Sequence, residues 1–391
     1  MPNTPHLLYV SDVFPTPQPG GAVIIYRHLQ RLVQEGWRVT VAAPAPAFRP
    51  LPDGHGFELR ALPRKSWWPP ARPAWPFTQW LRARMWTKAM RDDPSWTEPP
   101  PDVILTVLWG HTSLTAAQLA RAWHVPLAVI VHDLFRETAL PPRLVRDGEK
   151  FTRDVLREAA CVWTVSDEMR EQLAPLCQPG AVRTLTPVPG ENTAPADGWP
   201  VHFRAAPVIA HAGAFHAHHV EYLAAVARSA AKCGGSLLVL TPIDNPALAQ
   251  LRATGTAFRH QPTFDSVAEA LSFLAAEASA LTVMYPLDPA WYRHPPTGFP
   301  SRLIEFSHLG LPILIAAPSG NPINNWAYRH AWPLTLDLAD WTMLDSLVAQ
   351  LADATTWTAL STRMRAIAAG ACDPEKIHRQ FLAELPQSTS A

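Results

Sequence analysis

The residues best suited to binding chemistry lie in one segment near residue 300. Pro300-Ser301 can open a helix whose first-turn N–H groups and positive dipole end hold phosphate oxygens. Arg302, directly inside that helix, can add a bidentate cationic contact. Glu305, one turn later, can accept hydrogen bonds from ribose hydroxyls. Together they predict a nucleotide site, although an ordinary capped amphipathic helix would have similar residues.

His132-Asp133 directly follows the apolar stretch Leu127–Val131. Both residues therefore stand at the carboxyl end of a predicted strand, where α/β proteins bind their ligands. Asp133 can orient His132 or poise an acceptor hydroxyl. We interpret His132 and Asp133 as candidate catalytic residues; the alternative is a structural histidine beside a helix-capping aspartate.

Glycines follow two of the predicted strands. Gly20-Gly21 lies between the first strand and the first helix, and Gly213 follows the strand Val208–Ala212. Glycine suits a close approach of backbone to a ligand, but it also suits a plain tight turn. Three histidines come soon after Gly213, at His216, His218 and His219. They can act as pH-sensitive donors to phosphate, or simply be exposed loop residues.

From Arg60 to Arg91 all charged residues are basic, and tryptophans are interleaved with them. The candidate contact residues are Trp67, Trp68, Arg72, Trp75, Arg82 and Trp86. Such a segment suits an anionic membrane surface or a lipid-linked anionic acceptor. It equally suits a stacked sugar, or tryptophans that pack onto their own domain. Single-stranded nucleic acid also binds such patches, but the overall charge balance disfavours that partner.

The bulk composition narrows the class of protein. The 391 residues exceed what one core usually serves, and 33 basic residues balance 33 acidic ones, so we expect two domains and no nucleic-acid partner. The 4 cysteines show no CxxC pair, which argues against a structural zinc site. The N-terminus does not resemble a signal peptide, and no apolar run is long enough to span a membrane. We therefore expect a cytoplasmic protein, with peripheral membrane contact as a further possibility.

Apolar strands alternate with helices along the chain, which predicts parallel sheets covered on both faces and an α/β fold. Strands are predicted at Leu7–Val10, Trp37–Ala43, Val103–Trp109, Leu127–Val131, Cys161–Val165, Val208–Ala212, Leu237–Thr241, Phe258–Gln261, Leu281–Tyr285 and Ile313–Ala316. Helices are predicted at Ala22–Glu35, Leu114–Trp123, Thr152–Ala160, Val220–Lys232, Val267–Ala278 and Arg302–Leu309. Ser166 should cap a further helix with Met169 at its N3 position.

The elements form two series, which predicts two doubly wound, Rossmann-like domains. The predicted divisions are an N-terminal domain at 1–190, a linker at 191–204, a C-terminal domain at 205–370, and a helix and tail at 371–391 that can pack back on the first domain. The proline-rich stretches Pro44–Pro52, Pro63–Pro76 and Pro94–Pro101 should be irregular loops.

The segment Thr297-Gly-Phe-Pro-Ser-Arg-Leu-Ile-Glu-Phe, followed by Gly310-Leu-Pro312, resembles the sugar-nucleotide site of retaining GT-B glycosyltransferases of family 4. The resemblance implies two Rossmann-like domains facing each other across a cleft. It also implies that His132 contacts the transferred sugar and that Gly20-Gly21 approaches donor or acceptor. The donor-binding residues it implies are Gly20, Gly21, Gly213, His216, Gly298, Phe299, Pro300, Ser301, Arg302, Leu303 and Glu305.

Two positions depart from that family's pattern. Thr297 stands where relatives often carry a first glutamate, and N–H groups near Gly298 and Phe299 can replace its contact. Histidines replace the Arg and Lys that relatives commonly place after Gly213. These departures leave open a non-catalytic relative that binds a sugar nucleotide or a partner protein.

The resemblance implies an enzyme that transfers a sugar from a nucleoside-diphosphate sugar to an acceptor hydroxyl, with retention, in polysaccharide or glycolipid synthesis. The acceptor is then a saccharide or a lipid-linked molecule. No DxD motif follows a strand, and we expect neither a metal nor a cofactor. A sugar-nucleotide epimerase is a second alternative. The chain has no GxSxG, no GxxxxGK[ST] and no GxGxxG after a first strand, so a hydrolase triad, an ATPase and an oxidoreductase are disfavoured.

Overall fold

The computed structural model of the chain describes residues 4–18, 21–63, 76–133, 142–190, 198–213, 215–285 and 297–387. The chain forms two compact units. Unit 1 comprises Met1–Pro187 with Glu375–Ala391, and unit 2 comprises Val188–Pro374. Each unit is a parallel sheet with helices, so the predicted α/β fold with two Rossmann-like domains is confirmed.

Unit 1 contains a seven-stranded sheet in the order β3-β2-β1-β4-β5-β6-β7. Its strands are β1 His6–Val10, β2 Arg38–Ala43, β3 Glu58–Ala61, β4 Val103–Val107, β5 Leu127–Val131, β6 Cys161–Thr164 and β7 Val182–Thr184. Its helices before residue 187 are α1 Gly21–Gln34, α2 Pro76–Arg91, α3 Gly110–Trp123, α4 Pro142–Glu158 and α5 Asp167–Leu173. Strands β1, β4 and β5 are buried along their whole length, as expected of central parallel strands.

The predicted elements of unit 1 match the structure closely where the apolar pattern is strong. Strand β5 has the predicted bounds Leu127–Val131. The predicted cap also forms, because the Ser166 side chain accepts a hydrogen bond from the Met169 N–H at 3.0 Å. Helix α2 was not predicted: its first residue is Pro76, which lacks the N–H that a first-turn residue does not need. The short edge strand β3 alternates half-buried with exposed residues, so its sequence carries little strand signal.

Unit 2 contains a six-stranded sheet in the order β10-β9-β8-β11-β12-β13. Its strands are β8 Val208–Ala212, β9 Ser236–Leu240, β10 Arg259–Gln261, β11 Ala280–Met284, β12 Ile313–Ala317 and β13 Thr335–Asp337. Its helices are α6 Val220–Lys232, α7 Pro246–Ala253, α8 Val267–Glu277, α9 Ser301–Ser307, α10 Pro322–Arg329, α11 Leu344–Leu351 and α12 Ala354–Gly370. Strand β8 and helix α6 match their predicted bounds.

Unit 2 begins earlier than the predicted C-terminal domain. The predicted linker at 191–204 contains Trp199, which is buried in the core of unit 2. The Trp199 carbonyl also accepts a hydrogen bond from Arg365 of α12 at 3.4 Å. An apolar side chain of this size stabilises the unit through the area that it buries, so residues after 198 are part of the fold of unit 2.

The last helix, α13 (Pro374–Glu384), packs on unit 1. Phe381 is fully buried, with its ring 4.7 Å from Trp163 and 4.3 Å from His28. Trp163 donates its indole N–H to Glu384 at 2.7 Å. These contacts bury one face of α13 in unit 1, although it comes after unit 2 in the chain.

Two buried histidines face each other between α1 and α13. Nδ1 of His28 lies 3.1 Å from Nδ1 of His378. One ring nitrogen must donate and the other accept, so the two imidazoles cannot both carry a proton there. Burial lowers the pKa of His28 well below its usual value and also lowers the pKa of His378, against an opposing contribution from Glu35. At mildly acidic pH the folded unit therefore keeps at least one of these two imidazoles neutral.

Within the described ranges, no helix has both the length and the apolar character needed to cross a bilayer.

The histidine pair predicts loss of stability in mild acid. A histidine whose folded pKa lies below its unfolded pKa is protonated first in the unfolded chain, so the free energy of unfolding falls as pH drops below about 6.5. Each excluded proton costs about 1.4 kcal/mol per pH unit in this range. Urea denaturation at pH 7.5, 6.5 and 5.5 should show this decrease.

The variant His28→Gln isolates the contribution of the pair. It should lower stability at pH 7.5 by about 1–3 kcal/mol, because His378 loses its buried partner, and it should flatten the pH dependence below 6.5. His202→Gln, at an exposed position, should leave the slope as in wild type. An unchanged slope in His28→Gln would show that other groups cause the acid sensitivity.

Candidate functional site

Arg302 joins the ends of two central strands of unit 2. Its guanidinium donates to the Ala212 carbonyl at 3.4 Å and to the Met284 carbonyl at 3.0 Å. Ala212 ends β8 and Met284 ends β11, which are neighbours in the sheet. From β8 the chain continues to β9 on one side, and from β11 to β12 on the other. This is a topological switch point, where open parallel sheets bind ligands at the carboxyl ends of their strands.

The Arg302 guanidinium is charged and held in a fixed orientation. Both of these hydrogen-bond acceptors are neutral carbonyl oxygens, and they orient the guanidinium. Burial lowers the pKa of Arg302 to about 10, so the side chain stays protonated at neutral pH. A fixed cation at a strand-end crevice is well placed to hold an anionic ligand.

Gly213 makes room for this guanidinium. The residue follows β8 with φ +106°, a conformation that side chains other than glycine rarely adopt. A Cβ at this position would lie 3.3 Å from Nη1 of Arg302. The structure therefore brings together two residues that the sequence placed in the donor site, Gly213 and Arg302.

The segment that precedes α9 reaches the same region. Gly298 is buried, and the Phe299 ring packs edge-on to Trp326 with centroids 6.3 Å apart. Pro300 occupies the N-cap position of α9, which starts at Ser301. Leu303, predicted to help bind donor, instead has its side chain fully buried in the core and donates its N–H to the Pro300 carbonyl at 2.9 Å. Its apolar side chain supports the helix.

Glu305 and Thr297 are both half-buried. The Glu305 carboxylate accepts a hydrogen bond from the Gly190 N–H at 3.4 Å. This carboxylate therefore also fixes the backbone near the start of unit 2, a contact that the sequence did not indicate. The predicted contact of Glu305 with a ribose stays a prediction.

The histidines after Gly213 differ from one another in the structure. His219 is buried, and its Nδ1 accepts a hydrogen bond from the His216 N–H at 3.0 Å, closing the turn before α6. Burial, then the nearby His211 and Arg302, lower the pKa of His219 to about 2, so it is neutral and cannot serve as a cationic phosphate donor. His216 is exposed, and its predicted role stays a prediction. No group of three metal-ligating side chains occurs in the described part of the chain.

In unit 1, His132 lies against the first turn of α1. A Cβ on Gly21 would be 3.2 Å from Nδ1 of His132, so the glycine permits this contact. Burial lowers the pKa of His132 to about 4, which leaves a neutral imidazole at pH 7. His132 also lines a small cavity together with His28. The structure thus brings together two further predicted residues, Gly21 and His132; Gly20 lies outside the described residues.

Asp133 does not orient His132. The residue is exposed, and no hydrogen bond joins the two side chains in the structure described for this loop. The proposal that Asp133 acts on an acceptor hydroxyl therefore rests on its position after β5 alone.

The Trp-rich basic segment is described only in part, because Trp67, Trp68, Arg72 and Trp75 lie outside the described residues. Trp86 was predicted to contact acceptor or membrane, but it is 4% exposed and stacks on His111 with centroids 4.8 Å apart. Its indole N–H donates to the Pro63 carbonyl at 2.7 Å. The alternative, a tryptophan packed on its own domain, is therefore correct for Trp86. The Arg82 guanidinium lies over the Trp86 ring at 5.6 Å.

Sequence reasoning missed one group of residues in unit 1. Asp12 follows β1, and His111 and Thr112 lie in the first turn of α3 after β4. Thr112 donates its hydroxyl to the Asp12 carboxylate at 3.0 Å. A signal was available, since both segments follow buried strands, but 100 positions separate the two side chains in sequence.

Comparison with known proteins agrees with this architecture. Residues 19–187 match the sequence model of the family described as Glycosyltransferase Family 4. The predicted resemblance to GT-B glycosyltransferases of this family is thereby confirmed, and so is the prediction of a glycosyltransferase at the level of this domain. No curated protein matches the chain in sequence.

Several solved structures share the fold over nearly the whole chain. Anabaena Alr3699/HepE in complex with UDP and glucose has 12% identity and a TM-score of 0.67, covering 98% of this chain and 99% of that chain. WaaG, a glycosyltransferase involved in lipopolysaccharide biosynthesis, has 14% identity and a TM-score of 0.65, covering 99% and 100%. The α,α-trehalose 6-phosphate synthase from Burkholderia multivorans has 11% identity and a TM-score of 0.63, covering 98% and 96%. At these identities the likeness establishes the fold.

The contact between Gly213 and Arg302 predicts an energetic coupling. Gly213→Ala should destabilise unit 2 by about 1–3 kcal/mol, because the added methyl group strains a left-handed residue and displaces the guanidinium. In an Arg302→Ala background the same substitution should cost about 1 kcal/mol less, since only the backbone strain remains. Urea denaturation of the four proteins of this double-mutant cycle measures the difference.

Gly255→Ala is the matched control for backbone strain. Gly255 has φ +70°, and no atom outside its neighbours lies within 4 Å of an added Cβ. Gly255→Ala should lower the free energy of unfolding by the same amount with and without Arg302. Equal costs of Gly213→Ala in both backgrounds would mean that the guanidinium does not rest against Gly213.

Proposed function

We propose that this chain is a glycosyltransferase that moves a sugar from a nucleoside-diphosphate sugar to an acceptor hydroxyl. The observation that carries the proposal is the Arg302 guanidinium, fixed at the switch point of the unit 2 sheet. A diphosphate leaving group gains negative charge as its bond to the sugar breaks, and a preoriented cation stabilises that charge. The match of residues 19–187 to Glycosyltransferase Family 4 supports the same function.

In this proposal the residues of unit 2 bind the nucleotide. Arg302 contacts the diphosphate, while the N–H groups near Gly298 and Ser301 add further donors. Glu305 accepts hydrogen bonds from the ribose hydroxyls. Since a structure of HepE holds UDP-glucose, we propose a uridine diphosphate sugar as the first donor to test.

In unit 1, His132 contacts the transferred sugar. Its neutral imidazole can donate one hydrogen bond and accept another, which suits sugar hydroxyls. The bond between the anomeric carbon and the diphosphate oxygen breaks, a bond to the acceptor oxygen forms, and the hydroxyl proton passes to the leaving phosphate. Retention of configuration, an acceptor from polysaccharide or glycolipid synthesis, a cytoplasmic location and independence from metals belong to the same proposal.

A non-catalytic sugar-nucleotide binder is the second candidate. Two observations favour it: Thr297 lacks a carboxylate, and His219 is buried and neutral, so it does not replace a phosphate-binding cation. Such a protein would bind UDP-glucose without cleaving it. Release of UDP in the presence of acceptor mixtures separates the two candidates.

The donor site predicts different effects for Arg302 and Glu305. By isothermal titration calorimetry, Arg302→Ala should weaken both UDP-glucose and inorganic pyrophosphate by about 10- to 100-fold, because each loses one charge-assisted contact. Glu305→Ala should weaken UDP-glucose by about tenfold and leave pyrophosphate unchanged, since pyrophosphate has no ribose.

Arg363→Ala provides the control, because Arg363 is an exposed arginine of unit 2 that also donates to a carbonyl, that of His330 at 3.1 Å. It should bind both ligands like wild type. Wild-type affinity in Arg302→Ala would refute the assignment of the diphosphate site. If UDP-, GDP-, dTDP- and ADP-sugars all fail to bind the wild type, the proposed function is wrong.

A further inference from the structure

The sheet of unit 1 has its own switch point, between β1 and β4. From β1 the chain continues to β2 on one side, and from β4 to β5 on the other. Asp12 follows β1 by two residues, and Trp109 follows β4 by two residues, directly before α3. The two segments therefore meet at the edge where parallel sheets bind ligands, and no residue of this meeting point has a role in the function proposed above.

One carboxylate oxygen of Asp12 is held by its neighbours. Oδ2 accepts from the Thr112 hydroxyl at 3.0 Å and lies 3.7 Å from Nδ1 of His111. The Asp12 N–H also donates to the Thr112 hydroxyl at 3.1 Å. All of these side-chain contacts fall on Oδ2, and among the described residues Oδ1 has no hydrogen-bond partner. The side chain is 22% exposed, so the carboxylate is fixed through one oxygen and reaches solvent.

His111 is itself held rigidly beside Asp12. The Trp86 ring stacks on His111 with ring centroids 4.8 Å apart. The Arg82 guanidinium lies over the Trp86 ring, 5.6 Å from its centroid. Burial lowers the pKa of His111 to about 4, so the imidazole is neutral at pH 7. A neutral His111 lies beside Asp12 without neutralising its charge.

The backbone of Trp109 lies near this carboxylate, and its side chain is partly exposed. The residue is 44% exposed, and its carbonyl oxygen lies 3.2 Å from the same Thr112 hydroxyl oxygen. Gly110, with φ +53°, lies close to the carboxylate, since an added Cβ would be in van der Waals contact with Oδ2 at 3.5 Å. Trp109, with a partly exposed side chain, and Asp12 thus follow two neighbouring strands at the same edge of the sheet.

We propose that Asp12 and Trp109 form a binding subsite for a neutral saccharide, which is the acceptor of the glycosyltransferase reaction. The inference rests on the proposed function only in giving this saccharide the role of acceptor. A hydroxyl group of the sugar donates to Oδ1 of Asp12, and the apolar C–H face of the ring lies on the indole of Trp109. The carboxylate oxygen Oδ1 accepts hydrogen bonds and repels a phosphate oxygen at contact distance, so the group bound to it is a hydroxyl of an uncharged sugar ring.

The charges around Asp12 predict how this binding depends on pH. Tyr9 of β1, His111 and Thr112 of α3, and Arg82 of α2 face the carboxyl group. Burial raises its pKa to about 6, against the opposing effects of the Thr112 hydrogen bond and Arg82. Tyr9 and His111 are neutral near this pH, because burial raises the pKa of the phenol and lowers that of the imidazole. Saccharide binding should therefore weaken as pH falls below 6.

Saturation-transfer NMR on the full chain without donor tests the subsite directly. The probes are the methyl α- and β-glycosides of glucose, galactose, mannose and N-acetylglucosamine, with glucose 1-phosphate as the anionic comparison. At least one glycoside should bind at pH 7.5 and lose affinity below pH 6. Asp12→Asn and Trp109→Ala should each weaken binding by about tenfold, and Asp12→Asn should remove the dependence on pH.

Two controls address folding and nonspecific contact. Trp109→Phe should retain most of the binding, because the aromatic face is kept, and Trp109→Ala changes an exposed side chain, so it tests the subsite even if Asp12→Asn unfolds. Tyr328→Ala removes an aromatic ring that is 87% exposed in unit 2 and should bind glycosides like wild type. UDP-glucose affinity of the Trp109 variants should also match wild type.

The outcomes separate this inference from the proposed function. Glycoside binding that depends on Asp12 and Trp109 supports the subsite even if no nucleotide sugar binds, a result that would refute only the transferase. Absence of glycoside binding to wild type overturns the subsite, as does unchanged binding in both Asp12→Asn and Trp109→Ala. Tighter binding of glucose 1-phosphate than of the neutral glycosides overturns it as well.

Discussion

The hydrogen bonds from the Arg302 guanidinium to the Ala212 and Met284 carbonyls connect two strands at the point where the chain leaves them in opposite directions. Removing a guanidinium from water is costly unless its N–H groups find acceptors, and strand-end carbonyls provide them. Burial still disfavours the charged form of Arg302, and it lowers the pKa of this side chain to about 10. Other features of the region follow from this group: Gly213 must lack a side chain, and α9 must begin where Arg302 reaches both strands.

The two sheets share one topology and carry opposite charges at their switch points. In unit 2 the crevice between β8 and β11 holds Arg302, and in unit 1 the crevice between β1 and β4 holds Asp12. A fixed guanidinium suits phosphate oxygens, which are anionic acceptors. A fixed carboxylate suits hydroxyl groups, which are donors, and disfavours anions. Under the proposed function, these two switch points would bind the two substrates of a sugar transfer.

What the sequence could predict depended on how far apart the interacting residues are. Central strands such as β5 and β8 have five consecutive buried residues, so their apolar runs identify them without further context. The edge strand β13 has three residues and alternating exposure, and its sequence resembles a loop. Helix α2 was missed because its polar, tryptophan-containing sequence lacks a clear apolar face.

The residues of the candidate site were also predictable only where they lie close together in sequence. Arg302 was identified because Pro300, Ser301 and Glu305 surround it within a few positions. The Asp12–Thr112 contact spans 100 positions, and each half alone resembles an ordinary turn or helix start. The burial of Leu303, Trp86 and His219 likewise depends on tertiary packing, which a local motif does not indicate.

Several histidines of this protein carry no charge at neutral pH. His132 and His111 have pKa values lowered to about 4, and His219 to about 2, in each case mainly by burial. At neutral pH these imidazoles act as hydrogen-bonding groups of fixed orientation, and a cationic role for His132 would first require about 4 kcal/mol to protonate it at pH 7. Under the proposed function, Arg302, whose charge persists throughout this pH range, would therefore stabilise the departing diphosphate, and His132 would contact the sugar as a neutral imidazole.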